Sequence, residues 1–302
     1  MRRRIKFFLV MQLLLFPSFV LATEGRFFLE GDGSLSLTNH KTGRKGTFHY
    51  RDEQGHYPSG ERLRLQRLLA IPAQTDDEIA LRLIALLDHL EDHFAVEEIR
   101  IFSSFRTAQK NQRLRRRGRP AARASLHLEG MAVDMIIPNI PPRKVWNYLR
   151  SLQCCGAGLY PGGSLHLDTG PSRFWEEATA GVEEAVVSRN KFLILRTDQD
   201  LYRPGETVRL RIARITDFPV EVVPVATVVR GEKKEEKIPL QEGATACLKI
   251  NSRREARALS WKIPEDWKTP KKILIRLDSC KQISPEMPEK IDSNQIEIQK
   301  KE

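Results

Sequence analysis

Three side chains in this sequence have the types and spacing to hold a metal ion. His127 and Asp134 lie in Ser125-Leu-His127-Leu-Glu-Gly130-Met-Ala132-Val-Asp134, and His166 follows in Ser164-Leu-His166-Leu-Asp168. Imidazole nitrogen and carboxylate oxygen are ligands for a borderline ion such as zinc. Two histidines and one carboxylate leave a fourth position for water, which is the arrangement of a catalytic site. An ion so held lowers the pKa of its water and polarises a substrate carbonyl. The elements around these residues must bring them together. Gly130 predicts a turn, because glycine takes backbone angles that other residues avoid. Met131 to Ile137 is apolar and β-branched and reads as a strand. Ser164 to Asp168 alternates polar and apolar as a half-buried strand does, which puts His166 and Asp168 on one face. Asp168 is then placed either to act as a general base or to hold the His166 ring by its other nitrogen.

The fixed positions Ser125, His127, Gly130, Ala132 and Asp134, with a later strand-borne histidine, resemble the zinc peptidases of the D-Ala-D-Ala carboxypeptidase, lysostaphin and hedgehog superfamily. Further segments are similar to the murein endopeptidase K-like branch. Ser104-Phe105-Arg106 stands where that branch has a Gly-Tyr-Arg strand end. Gly156-Ala-Gly158-Leu-Tyr160-Pro161 and His166-Leu-Asp168-Thr-Gly-Pro171-Ser-Arg-Phe-Trp175 match its closing motifs, and Leu37-Thr-Asn-His-Lys-Thr-Gly43 its entry segment. Several spaced motifs in one order are far more specific than any one of them. The resemblance covers about Gly25 to Trp175. It implies one zinc ion per chain on His127, Asp134 and His166, and peptidoglycan as the partner, cut in its peptide crosslinks or stems. Arg106 would hold a peptide carboxylate or the oxyanion in two-pronged fashion, with Ser125 and Tyr160 also toward the substrate. Relatives often carry an acid three residues before the last zinc histidine, or a histidine two before it. Here those positions are Gly163 and Ser164. Asp168 is therefore the favoured base, with Glu129 a distant alternative. A cell-wall-binding module that keeps the zinc without cutting is the competing expectation.

The rest of the chain frames this unit. Met1 to Ala22 has the basic start, apolar run and small residues of a secretory signal, so the protein is expected to be exported, to a periplasmic or extracellular location. The formal charge is +11, and four of the positive residues (Arg2, Arg3, Arg4 and Lys6) lie in that signal. A basic balance favours anionic partners. No aromatic-rich basic motif supports nucleic acid. Arg106 to Arg123 holds eight basic residues and no acidic one, either a patch for an anionic envelope polymer or a solvated helix end. The expected order is a signal over 1–22, an α+β zinc-peptidase-like unit over 23–177, a linker over 178–190, a β-sandwich over 191–283 and a polar, fraying tail over 284–302. In the first unit, Phe27–Thr38 and Gly46–Tyr50 read as a ribbon, and Ser59–Leu69 as a basic amphipathic helix. Thr75-Asp-Asp-Glu78 reads as a capping box opening a second helix. On that helix His89 and His93 flank Asp88, Glu91 and Asp92 on a solvated face. Glu98–Phe105 reads as a buried strand and Pro141–Leu152 as a helix. After 190, short strand-like runs separated by turn signals suggest the sandwich. Asp200-Leu-Tyr-Arg-Pro-Gly-Glu-Thr-Val208 resembles the strand-turn-strand of bacterial immunoglobulin-like domains. Cys154 and Cys155 are adjacent and poorly placed to bond each other. Cys247 and Cys280 form a plausible bridge in an oxidising compartment.

Overall fold

A computed structural model describes residues 25–69, 71, 78–117, 122–176, 190–230, 234–240, 246–267 and 271–299. The secretory signal, Thr75 to Asp77 of the capping box and the linker up to Arg189 lie outside the described residues.

The first half is mixed α and β. Its elements are β1 (Ser34–Asn39), β2 (Lys45–His49), α1 (Ser59–Leu68), α2 (Leu81–Phe94), β3 (Ile99–Ser103), α3 (Ala108–Arg116), β4 (Ala132–Ile136), α4 (Pro142–Leu152), β5 (Gly156–Leu159), β6 (Leu165–Asp168) and β7 (Arg173–Glu176). The seven strands form one sheet in the order β2-β1-β3-β4-β6-β5-β7. The pairs β1–β3 and β5–β7 are parallel and the others antiparallel. Leu83, Ile84, Leu87 and Leu90 of α2 share one apolar core with Leu35, Leu37, Ile99, Ile101, Val133 and Leu167 of the strands. This packing holds β3, β4 and β6 side by side at the centre of the sheet.

Two expectations change here. The second helix begins at Leu81, with Ala80 at its N-cap and no side-chain cap, so Glu78 and Ile79 precede it. Its acidic residues do not form a solvated face. Asp88 and Glu91 are buried, and Asp88, Glu91 and Asp92 accept the backbone N–H groups of Gly33, Ser36 and Asp32. The helix is thereby tied to the start of β1. His93 stacks on Tyr148, with ring centres 3.7 Å apart, and His89 hydrogen-bonds the Tyr148 hydroxyl.

Among the described residues, the second half is all β apart from one 3-10 turn. It comprises β8 (Ile194–Thr197), β9 (Leu201–Tyr202), β10 (Thr207–Ala213), β11 (Val220–Val222), β12 (Val225–Arg230), β13 (Lys234–Pro239), β14 (Leu248–Ile250), β15 (Leu259–Lys262), β16 (Lys271–Asp278), β17 (Lys290–Asp292) and β18 (Ile296–Ile298). A three-stranded sheet β15-β10-β8 and a longer sheet β13-β12-β16-β18-β9 both feed one apolar core, including Leu195, Val208, Leu210, Trp261, Val228, Ile275 and Ile298. Cys247 and Cys280 are joined by a disulfide. The segment after Ser284 is not a fraying tail. Met287, Ile291, Ile296 and Ile298 are buried, and β18 pairs with both β16 and β9. Ile296-Glu-Ile298 is a period-2 pattern too short to stand out beside its charged neighbours.

The halves touch directly. Leu126, Met131, Ala132, Ile194 and Ala213 form a small apolar cluster across the boundary. Arg82 pairs with Asp200, and Arg26 makes a two-pronged pair with Glu206.

Candidate metal centre

His127 is positioned by its own turn and by the end of β3. Ser125 has extended angles and its hydroxyl accepts the His127 N–H at 3.4 Å, opening the 3-10 turn Leu126–Glu129, whose residues are all buried. Gly130 ends the turn with φ +64°. A Cβ there would fall on the Glu78 carbonyl, so glycine is required on both counts. The Arg106 N–H donates to the His127 carbonyl at 3.0 Å, and the His127 Nδ1–H donates to the Ser104 carbonyl at 2.7 Å. That second bond fixes the tautomer and leaves Nε2 as the ligand atom. Asp134 on β4 and His166 on β6 are direct partners across the two strands.

These three residues converge. Asp134 Oδ1 lies 3.3 Å from His127 Nε2 and 3.1 Å from His166 Nδ1, and the three ligand atoms are within 4.8 Å of one another. His127 Nε2 is buried and has no hydrogen-bond partner among the described residues. An orphaned buried nitrogen facing a carboxylate oxygen and a second imidazole is what a cation would satisfy. Burial lowers the pKa of His127. Burial opposes the charge of Asp134 as well, but His127 and His166 outweigh it and hold its carboxyl well below the usual range. At His166, burial is outweighed by hydrogen bonds and charge from Asp134 and Asp168, so its pKa is raised.

Asp168 belongs behind this centre. It is fully buried. Its Oδ2 accepts from His166 Nε2 at 2.8 Å and from Arg173 Nη2 at 2.5 Å. Its Oδ1 accepts from the Gly170 N–H at 2.8 Å and from Arg173 Nη1 at 3.0 Å. Burial pushes its carboxyl up, but His166, Arg173 and the Gly170 N–H prevail and hold it far below the carboxylate range. A carboxylate with four donors and no exposure cannot take a proton from water. The expectation that Asp168 is the base is therefore corrected: it orients His166. Nor is β6 half-buried; all four of its residues are covered, because Leu165 and Leu167 face the core while Trp175 and Arg173 roof the other side.

The remaining expected residues divide. Arg106 Nη2 donates to Asp134 Oδ2 at 2.6 Å and Nε to the Ser103 hydroxyl at 3.1 Å. It therefore steadies a ligand before it meets any substrate, with Nη1 the nitrogen not used in these bonds. Ser125 caps the turn and is buried, so it does not face a substrate. Tyr160 is half-buried in the β5–β6 turn, two residues past Gly158, the strand partner of His166. Glu129 is buried against Arg253 and Arg257 and is no base. Within the basic segment, Arg106 and Arg123 pair with Asp134 and Asp217.

Sequence reasoning missed the supports. Arg173 stands five residues after Asp168; the signal available was that a buried carboxylate needs a cation. Trp175 lies against His166, with ring centres 5.3 Å apart. Gly156 and Gly158 make room for these parts: a Cβ on the first would strike the Asp168 carboxylate, and on the second the Trp175 indole. The Ser104 carbonyl is a backbone group and leaves no mark on side-chain patterns.

The His/Asp/His cluster borne on the turn before β4 and on the antiparallel pair β4 and β6, with each imidazole fixed by a hydrogen bond from its other nitrogen, is an arrangement that could hold a metal ion. Residues 30–175 match the family model of the peptidoglycan L,D-endopeptidase MepK, and this segment belongs to the murein endopeptidase K-like branch of the superfamily named above. It is 39% identical over 80 residues to the probable peptidoglycan L,D-endopeptidase MepK of Haemophilus influenzae, covering 26% of this chain and 43% of that protein. It is 35% identical over 78 residues to the peptidoglycan L,D-endopeptidase MepK of Escherichia coli K12, with the same coverage. The match thus spans under half the length of either relative. No solved structure matches.

Proposed function

We propose that this protein is an exported zinc peptidase that hydrolyses amide bonds in the peptides of peptidoglycan, as an L,D-endopeptidase. The observation that carries this is the convergence of His127 Nε2, Asp134 Oδ1 and His166 Nδ1, with Nε2 buried and, among the described residues, otherwise unpartnered. The donor set fits zinc. The family match supplies the substrate class. When bound, zinc would acidify a water and polarise the scissile carbonyl. The chain's own residues prepare that chemistry. The Ser104 carbonyl and Asp168 set which imidazole nitrogens face the metal. Arg173 keeps Asp168 ionised, which makes His166 a stronger donor. Arg106 holds Asp134 by one nitrogen and offers the other to the developing oxyanion. Trp175 shields His166 from solvent and gives a sugar or peptide a flat face. The second half is read as an immunoglobulin-like β-sandwich, and its disulfide supports an oxidising compartment. The same compartment agrees with the export signal read over residues 1–22.

The test is muropeptide release from purified sacculi by protein lacking residues 1–22. Release should stop with a chelator, return with zinc and be absent in His166→Ala, with fragment masses showing cleavage at an L,D bond. Stoichiometric zinc binding with no release would sink the peptidase reading and favour a wall-binding module.

A further inference from the structure

Between the two halves lies a cavity of about 290 Å³, walled by α1 and α2 on one side and by β8 and β10 on the other. Its lining includes seven arginines against one glutamate and one aspartate. Three of these guanidiniums meet acids: Arg62 meets Glu78, Arg82 meets Asp200 and Arg257 meets Glu129. The Arg196 and Arg211 pair is held differently. Arg196 donates to the Thr169 and Leu195 carbonyls, and Arg211 to the Glu129 carbonyl; neither pairs with a carboxylate among the described residues. These two are direct partners across β8 and β10, so their side chains leave the same face of the sheet side by side. Like charges directly opposite one another cost stability unless something between them compensates. Burial comes first in lowering both guanidiniums to about 10, followed by repulsion from Arg82 at Arg196 and from Arg257 at Arg211.

We infer that this cavity is a binding site for a small oxyanion, a phosphate or carboxylate group, held between Arg196 and Arg211. Guanidinium forks match the planar or tetrahedral oxygens of such groups two at a time. At about 290 Å³ the cavity has room for a small molecule or one pendant group. Ile79, Leu81 and Met131 in the lining leave room for a short apolar portion beside the charge. The site is distinct from the metal centre yet adjoins it, because Thr169, whose carbonyl Arg196 holds, follows Asp168 directly in the chain.

Titration calorimetry with inorganic phosphate and, separately, malonate tests this, at constant ionic strength. At least one anion should bind the wild-type protein and raise its melting temperature. Phosphate alone assigns a phosphate-bearing ligand, malonate alone a carboxylate-bearing one, and both a general oxyanion site. Affinity should fall about tenfold or more in Arg196→Gln/Arg211→Gln, as expected for losing charge-assisted bonds. It should hold in Arg113→Gln/Arg116→Gln, which removes the same charge from α3, and in His166→Ala, which excludes the metal centre. Ala80→Phe would fill the cavity without changing charge and should also abolish binding, which decides the matter if the double variant does not fold. Binding of neither anion to the wild type, or binding that survives Ala80→Phe, overturns the proposal.

Discussion

Asp168 shows how much a residue's role depends on its surroundings. Its type and its spacing from His166 fit a base as well as a support, and only burial with four donors separates the two. A support and a base respond differently to mutation. Asp168→Asn should weaken zinc affinity by about 10–100-fold, because the imidazole loses the partner that sets its orientation. Competition against a chromophoric chelator measures this directly; unchanged affinity with lost turnover would restore the base. Arg173→Leu should act in the same direction, since it strips the buried carboxylate of its cation. The candidate ligands His127, Asp134 and His166 were legible in the sequence because ligand chemistry restricts residue type. Asp168 was left between two roles and Ser125 was placed toward the substrate, because residue type and spacing do not reveal burial or which backbone groups a side chain meets.

At the scale of elements, most strands and helices were readable from their periodicity, and the failures share a cause. The start of α2, where the Ala80 N–H meets the Gly130 carbonyl, and the standing of its acids, which take N–H groups at the start of β1, were decided by tertiary contacts that no local pattern carries. Burial, foremost, raises the carboxyls of Asp88 and Glu91 to about 7 each, far above their ordinary values. The folded state therefore binds more protons than the unfolded chain between about pH 4 and pH 7, and stability falls as pH rises through that window. Denaturant unfolding should show that decline, with a shallower slope in Asp88→Asn; a flat profile would refute it. On the other face of the sheet, Gly158→Ala should force Trp175 off His166, at about 1–3 kcal/mol of overpacking. A shift in tryptophan emission without loss of secondary structure would report it.

For the whole molecule, the docking of the halves was the part that the sequence did not reveal. Glu129 is buried in the turn that carries His127, and Arg253 and Arg257 reach it from the second half while Arg211 takes its carbonyl. Glu129→Ala should cost about 3 kcal/mol, since it leaves partly buried guanidiniums uncompensated. Calorimetry should also split one melting transition into two if this contact is what couples the halves; an unchanged single transition would show that the apolar cluster suffices. The turn Leu126–Glu129 has a wider consequence. One short segment sends one side chain to the metal centre and another, two residues on, across the boundary. The first half is thus not a portable cassette. Freed from its neighbour, it would present an unpaired acid at 129 beside the bared Leu126 and Met131. Any lineage that shed or exchanged the second half would have had to rewrite that position first, so residue 129 should vary with the neighbouring module while 127 stays constant.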